Sequence, residues 1–134
     1  MPPGFAYETS WEDGKPPVAI EAGPVGKRLM LGMRHAIAAM ARQGNNLIVD
    51  DVMVDGEMAR YQALLPDFKV FSVGVFAPFD LLEARESERG DRLPGLARWQ
   101  FGRVHEGVSY DLEVDTSQST PLECAHRIRH RFRL

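Results

Sequence analysis

Cysteine is almost absent from these 134 residues. Cys124 stands alone, so no internal disulfide can form and a reducing cytoplasm is the expected compartment. Long apolar runs are missing too. The most apolar stretches, Leu47–Val49 and Val70–Phe79, fall far short of the roughly 20 residues that a membrane-spanning helix needs, and no membrane partner is expected. The opening Met-Pro-Pro-Gly-Phe has neither the basic nor the apolar part of a secretory signal. Positive charge is short overall: the net charge is −3, which gives the chain no general attraction to nucleic acid, so no such partner is expected. Lysine is scarce as well, and 13 of the 16 basic residues are arginine. What is present is a composition 44% hydrophobic and 26% charged, enough for one domain with a real core and too short for a two-domain enzyme. Arginine grips phosphate and carboxylate through a planar fork, so the places where arginines gather are candidate anion sites.

Residues 1–17 hold four prolines and two glycines without periodicity and are expected to be loop, giving an irregular segment over 1–19 and one domain over 20–134. From about Pro24 to Gln43 a helix is predicted, because Leu29, Met33, Ala36, Ile37 and Met40 recur at three- and four-residue steps and Gly44 stops them. Asn46-Leu47-Ile48-Val49-Asp50-Asp51-Val52 is continuous rather than alternating in its apolar residues, which predicts a strand buried on both faces. A helix over Gly56–Leu65 closed by Pro66 and a second buried strand over Lys69–Phe76 follow. Asp80 is placed to cap a helix running to about Glu88, the last strand is Tyr110–Asp115, and Pro121 opens a final helix at its first position. Helices alternating with buried strands predict an α/β fold with a mainly parallel sheet.

Four groups of residues could carry chemistry. Arg85, Arg89 and Arg92 fall four and three residues apart, as on one helix face, with Gly90 allowing the chain to turn. Arginines at a helix end can clamp charge on a phosphoryl group in transfer, although a run such as Arg85–Arg92 also reads as a solvated helix with Glu88–Arg92 and Arg85–Glu88 pairs. Asp50 and Asp51 end the Leu47–Val49 strand at the edge where open α/β sheets bind ligands, and one of them could face Mg²⁺; turns favour aspartate there in any case. Gly23-Pro24-Val25-Gly26-Lys27-Arg28 fails as a phosphate loop, because Glu21 stands where the first glycine belongs and Arg28 where the Mg²⁺-binding hydroxyl belongs. The four histidines and Cys124 offer no zinc-ligand spacing with a third ligand, and the basic tail Arg127–Arg133 is read as an exposed helix C-terminus.

Ala39-Met40-Ala41-Arg42, Leu47-Ile48-Val49-Asp50-Asp51-Val52, Arg89-Gly90-Asp91-Arg92 and His105–Thr116 occur together in an order and spacing that resembles the chloramphenicol phosphotransferases and their relatives, from about Ile20 to about Ile128. The resemblance implies a P-loop kinase-like three-layer α/β fold that moves the γ-phosphoryl group of ATP, with Mg²⁺, onto a small-molecule hydroxyl. It would make Arg89 and Arg92 the lid arginines facing the phosphates, with Arg85 nearby on the substrate side. Asp50 or Asp51 would be the acid of the metal and substrate region.

The family's first strand, phosphate loop and general base have no counterpart in this sequence, so the resemblance implies a C-terminal portion starting at an internal position and inactive by itself. In that fold the missing strand lies centrally, between Leu47–Val52 and Lys69–Phe76. Its absence would leave main-chain groups unpaired at roughly 1–3 kcal/mol for each one kept dry. A non-catalytic remnant that binds or oligomerises is the alternative, and an open sheet gap would favour self-association.

Overall fold

The computed structural model describes residues 3–9 and 18–134. In chain order the elements are β1 (Phe5–Thr9), β2 (Val18–Ala22), α1 (Pro24–Arg42), α2 (Glu57–Leu64), β3 (Val73–Phe76), α3 (Phe79–Arg89), α4 (Leu96–Phe101), β4 (Leu112–Asp115) and α5 (Pro121–Phe132). The fold is therefore mixed α/β. Its strands form two separate pairs: β1 and β2 run antiparallel, with Phe5 opposite Ala22, and β3 and β4 run parallel, with Val73 opposite Leu112. A parallel pair needs a long crossover, and α3 and α4 supply it.

Several expectations hold at the level of elements. Pro24 opens α1 and Pro121 opens α5, each at a position where a missing N–H costs nothing. Thr120 and Glu123 add a reciprocal capping box to α5, in which the Thr120 side chain accepts from the Glu123 N–H and Glu123 Oε2 accepts from the Thr120 N–H at 2.7 Å. Gly90 ends α3 with φ +66°, the left-handed conformation that glycine takes without penalty.

Other expectations are overturned. Among the described residues a mainly parallel sheet is not formed, because only β3 and β4 pair in parallel there. The opening loop contains a strand, β1, which finds its partner in β2; residues 10–17 of that stretch lie outside the described residues. Leu47–Val52 forms no strand and is not buried: Ile48 is 101% exposed, and Leu47, Val49 and Val52 are exposed as well. The physical reason is the lack of a partner, since no main-chain hydrogen bond joins Asn46–Asp51 to any described residue. Strand propensity alone cannot hold an isolated strand together.

Helix α1 has the expected span but turns the opposite way. It buries Gly26, Arg34 and Ala38, while Leu29, Met33 and Met40 of the expected core face stay exposed. The buried apolar residues are spread thinly, with Val18 on β2, Ala38 on α1, Tyr61 on α2, Leu96 on α4, Val114 on β4, and Cys124 and Phe132 on α5. Among the described residues, no helix is long and apolar enough to cross a membrane.

Candidate functional site

The carboxyl ends of β3 and β4 carry one polar group. Thr116, just after β4, donates its N–H to the Phe76 carbonyl at 2.8 Å, and its hydroxyl lies 3.2 Å from the same oxygen. Arg85, one turn from the end of α3, reaches across to this turn. Its Nη1 donates to Thr116 Oγ1 at 2.8 Å and its Nη2 to the Thr116 carbonyl at 3.0 Å. Asp115 Oδ1 accepts from the Ser117 hydroxyl at 2.6 Å and the Ser117 N–H at 2.7 Å, and these two bonds hold the Asp115 carboxyl below its ordinary range. Arg85 thus braces the β4–α5 turn with both of its fork nitrogens.

Arg89 and Arg92 stand further along, at and beyond the left-handed turn of Gly90. Arg89 Nε lies 3.3 Å from Asp91 Oδ1 in an exposed pair that is worth little to stability. Arg92 is exposed and makes no hydrogen bond or ion pair with the described residues. Both guanidiniums therefore face solvent. The same α3 surface also carries ordinary structural pairs, such as Glu86, whose carboxylate accepts from the Gly95 and Ala97 N–H groups and starts α4.

The two aspartates lie elsewhere, beside α1 and α2. Asp51 Oδ2 accepts from the Tyr61 hydroxyl at 2.9 Å and Oδ1 from the Val52 N–H at 2.8 Å. Burial first, and then this bond to Asp51, pushes the Tyr61 phenol up to about 12, so it stays neutral at ordinary pH. Asp50 is exposed and has no such partner among the described residues, while Asp51, also exposed, already accepts one hydrogen bond at each oxygen. Beneath them, Glu57 is buried between two arginines: Arg34 Nη1 lies 2.5 Å from Oε2 and Arg60 Nη1 2.6 Å from Oε1. A buried carboxylate needs such pairing, because removing one partner would strand a charge out of water. No hydrogen bond or ion pair links this group to Arg85, Arg89 or Arg92 among the described residues.

Arg34, Glu57 and Tyr61 are not singled out by any motif in the sequence. The one available signal is Arg34, a lone charge whose neighbours on the helix face, Met30, Leu31, Ile37 and Ala38, are all apolar.

Whether this chain could cradle Mg-ATP by itself can be judged from its own groups. At the start of α1 the Val25 and Gly26 N–H groups both point to the Pro3 carbonyl, at 2.7 and 3.3 Å, and the Gly23 N–H to that of Gly4. A Cβ on Gly26 would meet the Gly4 carbonyl oxygen at 3.0 Å, so this glycine serves close packing of the β1 end against the helix. The amides that a phosphate loop would aim at phosphate are thus already engaged, in agreement with the failed motif. Among the described residues, the start of α1 therefore offers no free amides for a phosphate cradle.

Residues 7–133 match the family described as Chloramphenicol phosphotransferase-like protein. Two relatives from Mycobacterium tuberculosis, one from strain CDC 1551 / Oshkosh and one from strain ATCC 25618 / H37Rv, each carry the name "Putative O-phosphotransferase" and are 29% identical over 133 residues. The match takes in 98% of this chain and 59% of each relative, so the chain spans under two thirds of their length. With the family match running over nearly its whole length, this chain belongs to the chloramphenicol phosphotransferase-like protein family.

Proposed function

We propose that this chain is the arginine-bearing part of an ATP-dependent phosphotransferase that phosphorylates a small-molecule hydroxyl. The observation that carries the reading is the family match over residues 7–133. The exposed guanidiniums of Arg89 and Arg92 at the end of α3 and beyond it support it, since phosphoryl transfer depends on positioning and neutralising phosphate charge. In this reading Arg89 and Arg92 meet the phosphates, Arg85 holds the β4–α5 turn beside them, and Asp50 is the acid open to substrate or metal. ATP and Mg²⁺ belong to the assembled enzyme. The nucleotide cradle comes from polypeptide beyond these 134 residues, because the amides of α1 are engaged by Pro3 and Gly4.

Isothermal calorimetry and a coupled turnover assay test this in two steps. The 134-residue chain alone is expected to show no Mg-ATP affinity and no turnover. Joined to a family phosphate-loop segment it is expected to turn over ATP in the presence of a hydroxyl acceptor, and Arg89→Ala with Arg92→Ala is expected to lower that rate at least a hundredfold. Turnover that is indifferent to both arginines would overturn the phosphate-facing role of Arg89 and Arg92. Failure of any joined form to turn over ATP would favour the non-catalytic binding module instead.

A further inference from the structure

The basic tail is a charged feature of the sequence that the phosphotransferase reading leaves unused. Helix α5 buries Cys124 and Phe132 and half-buries Ile128 between them, a stripe at four-residue steps that faces the core. At about 3.6 residues per turn, the opposite face of the helix is made of His126, Arg129 and His130, and Arg133 follows at the C-cap. All four are exposed, and with Leu134 they line one open cavity of about 630 Å³. No acidic side chain lines it. The neighbouring arginines are used differently. Arg127 donates from Nη2 to the Glu113 carbonyl of β4 at 3.4 Å, and Arg131 lies over the Phe132 ring, so both lie against the fold. On the outer row, the one side-chain hydrogen bond among the described residues is from Arg129 Nε to the Leu134 carbonyl at 3.2 Å, and no ion pair is formed there. A helix C-terminus carries partial negative charge, which accounts for cations in its last turn. It does not account for His126, a turn earlier, or for the cavity.

We infer that the outer face of α5 is an accessory binding site for a small anion carrying two or more phosphate groups. Guanidiniums suit phosphate oxygens through their planar fork, and the imidazole N–H groups add donors between them. From His126 to Arg133 the row spans about 10 Å along the helix axis, which suits a chain of phosphates better than a single one. The cavity has the volume of a small-ligand site, and no aromatic side chain lines it on which the bases of a single-stranded nucleic acid would stack. The site is separate from the turn that Arg85 braces. That turn precedes the start of α5, whereas the row lies towards the other end of the helix. The inference stands apart from the proposed function, and its probe contains neither nucleoside nor Mg²⁺.

Isothermal calorimetry and NMR of the intact 134-residue chain with inorganic tripolyphosphate, at about 0.01 M salt where screening is weak, test it. One site is expected, with a Kd of about 1 mM or tighter, amide shifts confined to His126–Leu134, and orthophosphate bound about tenfold more weakly. Arg129→Gln with Arg133→Gln is expected to weaken tripolyphosphate binding about tenfold, and Arg127→Gln with Arg131→Gln no more than about threefold. All four side chains are exposed, so both variants should fold. At ordinary salt, with Mg²⁺ on the phosphates, the contact is screened, so calorimetric silence towards Mg-ATP is still expected. Absence of tripolyphosphate binding, binding indifferent to Arg129 and Arg133, or shifts centred outside α5 would overturn the inference. Equal affinity for orthophosphate would overturn it too, as would retention on phosphatidylglycerol vesicles or polyuridylate without tripolyphosphate binding, which would make this face a macromolecular contact. ATP turnover enters none of these readouts, so failure here leaves the phosphotransferase reading untouched.

Discussion

Gly74 shows how closely one residue can be constrained. A Cβ there would meet the rings of Phe76 and Tyr110 at 2.6 Å, well inside contact. Those rings belong to a cluster in which His105 stacks on Phe76 with centroids 3.9 Å apart and its Nδ1 lies 2.7 Å from the Tyr110 hydroxyl. Gly74→Ala is therefore expected to destabilise the chain by about 1–3 kcal/mol, measured by chemical denaturation, because the rings have to shift against neighbours. The same cluster makes stability depend on pH. Burial holds the His105 imidazole below its ordinary 6.5, against the pull of the Glu113 carboxylate. The unfolded chain accepts this proton more readily than the folded one, so the contribution is complete above about pH 6.5 and is lost as pH falls. NMR titration should place the His105 midpoint below 6.5. His105→Gln should flatten the loss of stability between pH 7 and 5, and an unchanged slope would refute the assignment.

Among the elements, α5 owes its start to local chemistry and its position to one packed face. Its capping box satisfies two end groups, and the hydrogen bonds from Thr120 hold the Glu123 carboxyl below its ordinary range. Thr120→Ala is expected to lower the melting temperature by roughly 2–8 °C, with near-native circular dichroism at low temperature. Helix α1 is the opposite case. Its ends follow from Pro24 and Gly44, yet its buried face is set by the Arg34–Glu57 pair and the contact with Gly4 and Phe5, not by its apolar stripe. Where periodicity names one face and the fold buries another, an apolar surface is left open. Within the isolated chain Ile48→Ser should change stability by no more than about 0.5 kcal/mol, since Ile48 touches little.

For the whole molecule, the outcome is a chain whose core is thin for its composition. Large apolar side chains stay exposed along α1 and Leu47–Val52, and on Val70, Phe71 and Val75. Of these, Met33, Met40, Leu47, Ile48 and Val49 line one open cavity, an apolar surface of the kind that takes up an apolar dye. The isolated chain is expected to raise the fluorescence of the dye ANS several-fold at neutral pH, and Met33→Ser with Ile48→Ser to remove most of that rise. Dye binding unaffected by the pair would place the apolar surface elsewhere.

Taken by itself, the sequence determined what depends on neighbours along the chain. Helix ends at Pro24, Gly90 and Pro121 were legible because capping and proline chemistry act within a few residues. Only the tertiary structure decided what depends on partners far along the chain. Leu47–Val52 has the composition of a buried strand, but a strand exists only where another backbone meets its hydrogen bonds, and none of the described residues does so for Asn46–Asp51. Phe5–Thr9 has the composition of a loop, and Val18–Ala22 makes it a strand. Arg85 could equally have been a solvated charge, until the parallel pairing of β3 with β4 brought Thr116 within reach of its fork.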